Sequence, residues 1–340
     1  MMIIQIGNIN SFITGSVSYQ ESLAVELKKG MNLDEFISVS KHKNKVLRVV
    51  DIIVCLLENS RKTRLVILHS FSTQAFYISV LVAFLCRVLN IKFIVLTHGG
   101  DFPTRIKKSP RLVNFTFGAA LITVCPSKYL LYHFEKAGFN CRFIPNAVDL
   151  NAFPFKERHE FHPNLLWVRS FAKIYNPIMA VEVLEKILAL FPQATLTMVG
   201  GKKDSSYEIV QGYIEKKGLE DSVKLTGILS QAEWAKLSQE FDIFINTTNI
   251  DNMPLSVLQA MALGLPVFST NVGGIEYLIS DGVNGVKCLS SNSDDMAEKI
   301  ITYLENQNNL EQIAVQAKEL PFEYSWANIL PQWVKLISEI

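Results

Sequence analysis

Short apolar and β-branched runs alternate with stretches of helical period along most of the chain. MMIIQIG precedes a helix-period stretch over 18–29, RLVILHS precedes another over 74–89, and KFIVLTHGG and LITVCPS lead into a helix ending near Lys136. Strands that are apolar at nearly every position, alternating with helices, predict βαβ units built on a buried parallel sheet. The rhythm breaks at PNAVDLNAFPFKERHEFHP, residues 145–163, a polar segment with prolines that reads as an interdomain linker. It restarts at LLWVRS (165–170), and Asn176 and Pro177 read as the N-cap and first residue of a helix to Leu190. TLTMVGG, a helix from about Ser206, VKLTGIL, a short helix at 231–239, FDIFINTT, a helix at 254–263 and LPVFSTNVGG complete the pattern. The expectation is an α/β protein of two doubly wound domains facing a cleft: residues 1–150, a linker at 151–163, a second domain at 164–320, and a final helical segment at 321–340.

Length and composition agree with this picture, because 340 residues exceed a typical single domain. With 49% hydrophobic and 19% charged residues the chain can build two cores, while 33 basic against 32 acidic residues argue against a nucleic-acid binder. The five cysteines form no C-x-x-C pair, so neither a disulfide framework nor a zinc site is indicated, and a reducing, cytoplasmic location is expected. Residues 1–15 lack the pattern of a signal peptide. The strongest apolar stretch, Phe76 to Cys86, is too short to span a bilayer before Arg87 interrupts it. It reads as a helix buried against a sheet, with a membrane-touching helix as the alternative.

In doubly wound sheets, functional residues gather at the carboxyl ends of the strands. His98-Gly99-Gly100-Asp101, Arg169-Ser170, Gly200-Gly201-Lys202, Asn246-Thr247-Thr248 and Gly273-Gly274 each follow an expected strand. Any one of these could serve a tight turn and a helix cap; five together point to a ligand site. No G-x-G-x-x-G, G-x-x-x-x-G-K-[ST] or G-x-S-x-G occurs, which argues against a nicotinamide dehydrogenase, a P-loop NTPase and an α/β-hydrolase. His159-x-x-His162 lies in the linker without further ligands at metal spacing, and no D-x-D is present to hold a divalent ion on a diphosphate. The protein itself must then neutralise any diphosphate.

The stretch NIDNMPLSVLQAMALGLPVFSTNVGG (249–274) carries one acid and one amide, Asp251 and Gln259. If Asn252 caps and Pro254 begins the helix, Gln259 lies about 12 Å from Asp251 at most, on the face shared with Asn252 and Leu255. One face could then hold the two ends of an extended ligand, with its diphosphate on the amides of Gly273-Gly274 and the following helix terminus. The competing reading is an amphipathic helix with Leu255, Leu258 and Met261 in the core and Gln259 in solvent.

Two segments carry a family likeness. PSKYLLYHFEKAGFNCRFIPNAVDLNAF resembles the connector of GT-B glycosyltransferases of the retaining glycosyltransferase family 4, and DNMPLSVLQAMALGLPVFSTNVGGIEYLISDGVNG resembles that family's Glu-x7-Glu block and Gly-Gly sequel. The likeness runs from about Ile94 to Gly285. It implies two Rossmann-like domains, the first on the acceptor side and the second binding a nucleotide sugar, with the C-terminal helix packing back on the first. It places Asp251 where the family has the Glu on the donor sugar and Gln259 where it has the Glu on the ribose. Arg169 matches the arginine on the distal phosphate, and His98 a histidine near the donor sugar. The partner lysine's place holds Ile174 and Tyr175, with Lys173 one position early and Lys202 as a fallback. Gly15-Ser16 lies where the family has a glycine-rich first loop. Gly200, Gly201, Asn252, Met253, Pro254, Leu255, Gly273 and Gly274 join the expected donor-binding set.

The resemblance implies retaining, metal-independent hexosyl transfer from a nucleoside-diphosphate sugar to a hydroxyl acceptor. It calls for no cofactor and no protein nucleophile. His98, Arg169, Lys173 and Asp251 are the catalytic candidates. The acceptor is expected to be a saccharide or lipid-linked saccharide of cell-surface polysaccharide or glycolipid assembly, with peripheral contact at the inner membrane face. The departures at Gln259 and Lys173 support an alternative, a catalytically impaired GT-B partner or nucleotide-sugar-binding subunit. An epimerase or phosphorylase on the same architecture is a further alternative.

Overall fold

A computed structural model describes residues 2–7, 18–33, 35–39, 42 and 44–340. In chain order the elements are β1 (Met2–Ile6), α1 (Tyr19–Gly30), β2 (Glu35–Val39), α2 (Lys45–Asn59), β3 (Thr63–Phe71), α3 (Phe76–Val88), β4 (Phe93–His98), α4 (Phe102–Lys108), α5 (Pro110–Phe117), β5 (Thr123–Cys125), α6 (Lys128–Lys136) and β6 (Cys141–Phe143). Then follow β7 (Asn164–Val168), α7 (Pro177–Leu188), β8 (Thr195–Val199), α8 (Ser206–Lys217), β9 (Val223–Gly227), α9 (Gln231–Leu237), β10 (Ile243–Asn246), α10 (Leu255–Ala262), β11 (Val267–Thr270), α11 (Ile275–Leu278), β12 (Val286–Cys288), α12 (Ser293–Glu305), α13 (Gln307–Ala317), α14 (Leu320–Glu323) and α15 (Trp326–Glu339). They form two compact units, one of Met1–Ala147 with Trp326–Ile340, the other of Val148–Ser325.

Each unit is built on a six-stranded parallel sheet, in the order β2-β1-β3-β4-β5-β6 and β12-β11-β10-β7-β8-β9. Side chains of a strand alternate between faces, so a strand covered on both sides must be apolar at nearly every position. In β3, Leu65 and Ile67 enter one core cluster and Val66 and Leu68 the other. In β7, Leu165 and Trp167 enter one cluster of the second unit and Leu166 the other. The helix α15 belongs to the first unit, where Ile329, Trp333, Leu336 and Ile337 bury one helical face beside Leu23 and Leu27 of α1. Trp326 stacks on Tyr19 at 5.8 Å.

Residues 148–163 are part of the second unit rather than a free connector. Phe153 and Phe161 are buried in its cores. The buried Arg158 donates to the carbonyls of Phe241 at 3.0 Å, Ser238 at 3.1 Å and Leu263 at 2.8 Å. Its polar surroundings are these backbone carbonyls and the carboxylate of Asp242, 3.8 Å from its Nε. The Phe76 stretch forms α3, with Phe76, Val82, Ala83 and Cys86 buried and Tyr77, Phe84 and Val88 exposed. All five cysteines are free thiols. Among the described residues, no helix is long and apolar enough to cross a membrane.

Candidate functional site

The second unit brings its candidates together at the carboxyl ends of β7, β8, β10 and β11. Arg169 follows β7, and its Nη2 donates to Oδ2 of Asp251, beyond β10, in a close ion pair. Asp251 Oδ1 accepts the Asn252 N–H at 2.8 Å, which fixes the carboxylate. The Arg169 guanidinium lies 4.7 Å from the centroid of the Tyr175 ring. Among the described residues its Nε is buried without a partner, so a desolvated charged donor is left to be satisfied. Burial pulls the guanidinium below the ordinary arginine range, and the Tyr175 hydroxyl opposes that shift.

The turn that carries Tyr175 is itself tied down. Thr247 Oγ1 accepts the Trp167 indole N–H at 3.0 Å and lies 3.0 and 2.9 Å from the Tyr175 and Asn176 carbonyls; the Asn249 N–H donates to Ile174 O at 2.8 Å. Asn176 does precede α7, but with φ 47° it is left-handed and its side chain makes no cap. That conformation turns the chain sharply between Tyr175 and Pro177, and asparagine tolerates it better than most residues.

Close backbone approach explains three glycines. A Cβ on Gly200 would collide with Arg169 O, one on Gly273 with Asp251 O, and one on Gly274 with Asn252 O. Gly273 also has φ +56°, the left-handed region. The Gly274 N–H is committed to Asp251 O at 3.1 Å and the Gly200 N–H to Gly227 O at 2.8 Å. Of these three amides, that of Gly273 makes no hydrogen bond among the described residues and is left for a ligand. The following helix α11 is a single turn, Ile275–Leu278, so it adds little dipole, contrary to the sequence expectation. Gly201 packs against Ile228 and accepts the Phe171 N–H at 2.8 Å.

The helix bearing Gln259 begins at Leu255 with Pro254 as its uncapped N-cap, so Asn252 is not the cap. It is buried on every side, not amphipathic: Ser256 through Ala262 are all buried. Gln259 is 8% exposed, which removes the reading of a solvated position. Its amide makes no side-chain hydrogen bond among the described residues, and Ser256, one turn earlier on the same face, has a buried Oγ without a partner. Met253 is buried in the apolar core and Leu255 packs against it. A dry, unpartnered Ser256 hydroxyl beside the mostly buried Gln259 amide on one face suits a ligand with donors and acceptors of its own.

The lysines fall differently from the expectation. Lys173 is exposed and donates its backbone N–H to Asp204 at 2.9 Å, and its side chain makes no ion pair among the described residues. Lys202 is engaged by Glu208 at 3.2 Å and lies over Tyr207 at 3.8 Å. Lys203, which the sequence did not single out, lies 6.0 Å from the centroid of the same Tyr175 ring that Arg169 covers. Tyr175, Lys203 and Ser256 are the residues that sequence reasoning missed; the tyrosine where a lysine was sought was the available signal.

In the first unit His98 ends β4, half-buried, with Phe71 stacked 5.0 Å away and His69 Nδ1 2.7 Å from its Nε2. Gly15 and Ser16 lie outside the described residues. Among the described residues no cluster of three or more His, Cys, Asp or Glu side chains could hold a metal ion.

Comparison with known proteins decides the family, because the model of "Glycosyl transferases group 1" matches residues 151–320, half of the chain. The chain belongs to the group 1 glycosyl transferases. It is an enzyme of the hexosyltransferase type. Among the relatives of this glycosyl transferase are an uncharacterized glycosyltransferase of Methanocaldococcus jannaschii, 23% identical over 76% of this chain and 71% of that protein, and the sulfoquinovosyl transferase of Arabidopsis thaliana, 27% identical over 66% of this chain and 46% of that protein. Similar solved structures are Anabaena HepE in complex with UDP-glucose (TM-score 0.76, 16% identity, 100% of both chains) and the sucrose-phosphate synthase of Thermosynechococcus elongatus (TM-score 0.79, 14% identity, 99% of this chain and 98% of that one). The fold of two six-stranded parallel α/β units is that of GT-B glycosyltransferases.

Proposed function

We propose that the chain moves a hexose from a nucleoside-diphosphate sugar to a hydroxyl acceptor, with retention at the anomeric carbon and without a metal ion. The observation that carries the reading is Arg169, mostly buried beside Asp251 at the carboxyl end of β7, with its Nε unpartnered among the described residues. A departing diphosphate needs preorganised positive charge, and a desolvated guanidinium supplies it without reorganisation. Lys203 adds a second cation around Tyr175, and the Gly273 N–H a neutral donor. Asp251 accepts hydrogen bonds from donor-sugar hydroxyls, Gln259 and Ser256 meet the nucleoside ribose, and His98 meets the transferred sugar. No protein nucleophile is assigned; the leaving diphosphate takes the acceptor proton. The base is open, and UDP, which HepE binds, is the first to try.

The acceptor is proposed to be a saccharide or lipid-linked saccharide of cell-surface assembly, reached by peripheral membrane contact. What supports this is the exposed apolar stripe of α2, Val46, Leu47, Val50, Val54 and Leu57, followed by exposed Arg61 and Lys62. The stereochemical part is tested by NMR of the first-formed product from an α-linked donor: an α product is expected, and a β product would rule out retention.

A further inference from the structure

A chain of buried polar groups in the first unit ends at His98, and its direction can be read from chemistry. Gln5 Nε2 lies 2.8 Å from the carbonyl oxygen of Gln20 and 2.8 Å from His69 Nε2, and His69 Nδ1 lies 2.7 Å from His98 Nε2. A carbonyl oxygen can only accept, so the amide of Gln5 must turn its nitrogen toward Gln20. The second amide hydrogen then points at His69 Nε2, which accepts it. A neutral His69 therefore carries its proton on Nδ1 and donates it to His98 Nε2. His98 in turn has its lone pair occupied and its proton on Nδ1. That Nδ1 makes no hydrogen bond among the described residues.

The rings are arranged to hold this bond. The His69 and His98 ring centroids are 5.0 Å apart with the two nitrogens 2.7 Å apart, so the rings meet edge to edge with planes 15° apart and each ring nitrogen faces the other, and Phe71 covers the His98 ring at 5.0 Å and 21°. Gln5 and His69 are both buried. Turning the Gln5 amide over would set its oxygen against the Gln20 carbonyl, an arrangement without a hydrogen bond in a dry core. Burial holds both imidazoles uncharged, with His98 pulled down to about 4 and His69 well below the usual range, helped there by its neighbour His98.

We infer that Gln5 and His69 are positioning residues that lock His98 in its Nδ1–H tautomer, so that His98 offers substrate a neutral hydrogen-bond donor and not a base. The inference rests on the reading that His98 meets the transferred sugar, where the acceptor of the bond is an oxygen of that sugar. His69 then acts through His98 without touching substrate. It accounts for a buried histidine near the carboxyl end of β3.

The test is long-range 1H–15N correlation spectroscopy of the full chain labelled at histidine, near neutral pH, with His98 assigned by loss of its signals in His98→Gln. The wild-type protein should show His98 protonated at Nδ1 alone. His69→Asn, whose amide nitrogen takes the place of Nδ1, should keep that tautomer; His69→Leu should shift it toward Nε2–H, and Gln5→Leu should disturb the tautomer of His69. A wild-type His98 protonated at Nε2, or one unaffected by His69→Leu, overturns the lock whatever the reaction is, and the wild-type spectrum alone decides the tautomer even if a variant fails to fold. Turnover is then measured with whichever of UDP-glucose, UDP-N-acetylglucosamine and GDP-mannose reacts fastest. His69→Leu should lower kcat/KM about tenfold with affinity for the bare nucleoside diphosphate unchanged, and His69→Asn should recover to within about threefold of wild type. A tautomer that moves as expected with turnover untouched would leave the lock standing and remove His98 from the sugar.

Discussion

Replacing Arg169 by alanine removes a mostly buried cation from the donor-side site, and the structure sets what this should cost. A guanidinium about 4 Å from a phosphate contributes about 4 kcal/mol at an effective dielectric of 20. Asp251, paired with it, repels the same phosphate and offsets part of this. The net loss should be near that of a removed oxyanion donor, about 3 kcal/mol, or a hundredfold or more in kcat. There is a second cost. Arg169 and Asp251 are only 16% and 11% exposed, so the variant strands a carboxylate, and breaking such a pair destabilises by about 3 kcal/mol. Thermal melting must therefore accompany kinetics, and turnover must be referred to folded protein at saturating donor. Arg169→Lys, which keeps the charge, should retain more stability than turnover, because a point charge lacks the planar fork. Native kcat in folded Arg169→Ala would refute the assignment.

Gln259→Glu restores an acid in a buried position without a partner, so the unliganded variant should melt lower by the equivalent of about 1–3 kcal/mol. Donor binding should tighten several-fold through charge-assisted bonds to the ribose, and a tenfold loss in calorimetry would break that assignment. Lys203→Ala should reduce turnover about tenfold while Lys173→Ala stays near wild type; the reverse order would restore Lys173 to the site. EDTA should leave activity intact in initial-rate assays, and a magnesium-reversible loss would show an essential ion. His98 adds a pH dependence: its folded pKa, about 4, lies below the unfolded value, so its stabilisation is full above about pH 6.5. It is lost as pH falls toward 4, because the unfolded chain takes the proton first, by about 3 kcal/mol in all. The melting temperature of His98→Gln should fall less over that window; equal falls would contradict the shift.

The sequence made the fold legible where strands are covered on both faces, since RLVILHS or FDIFINTT leaves no other reading. It did not reveal β2, EFISV, because this edge strand is mostly half-exposed and starts with an exposed glutamate. Nor was α2 picked out, although its apolar residues follow the helical period, because β-branched Val and Ile dominate the run and Val46, Leu47, Val50, Val54 and Leu57 are left exposed. Arg169 and Asp251 were legible by motif, but not their pairing, which depends on how β7 and β10 lie side by side. The Gly-Gly pair was legible as a close approach. That Gly274 gives its amide to Asp251 is a matter of turn geometry which no spacing discloses. The Lys173 expectation shows the same limit: counting along the chain finds the nearest lysine, whereas the Tyr175 ring gathers Arg169 and Lys203 from two different strand ends.

The central claim, that this site binds a nucleoside-diphosphate sugar through Arg169, is tested most directly by thermal shift of the wild-type protein and Arg169→Ala. The panel is UDP-glucose, UDP-N-acetylglucosamine, GDP-mannose and the bare diphosphates. A donor at 100 times its dissociation constant stabilises by about 2.7 kcal/mol, a shift of several degrees. The account predicts such a shift for at least one nucleotide sugar in the wild type and a much smaller one in Arg169→Ala at the same concentration. Equal shifts in the two proteins, or none with any nucleotide sugar, would contradict it.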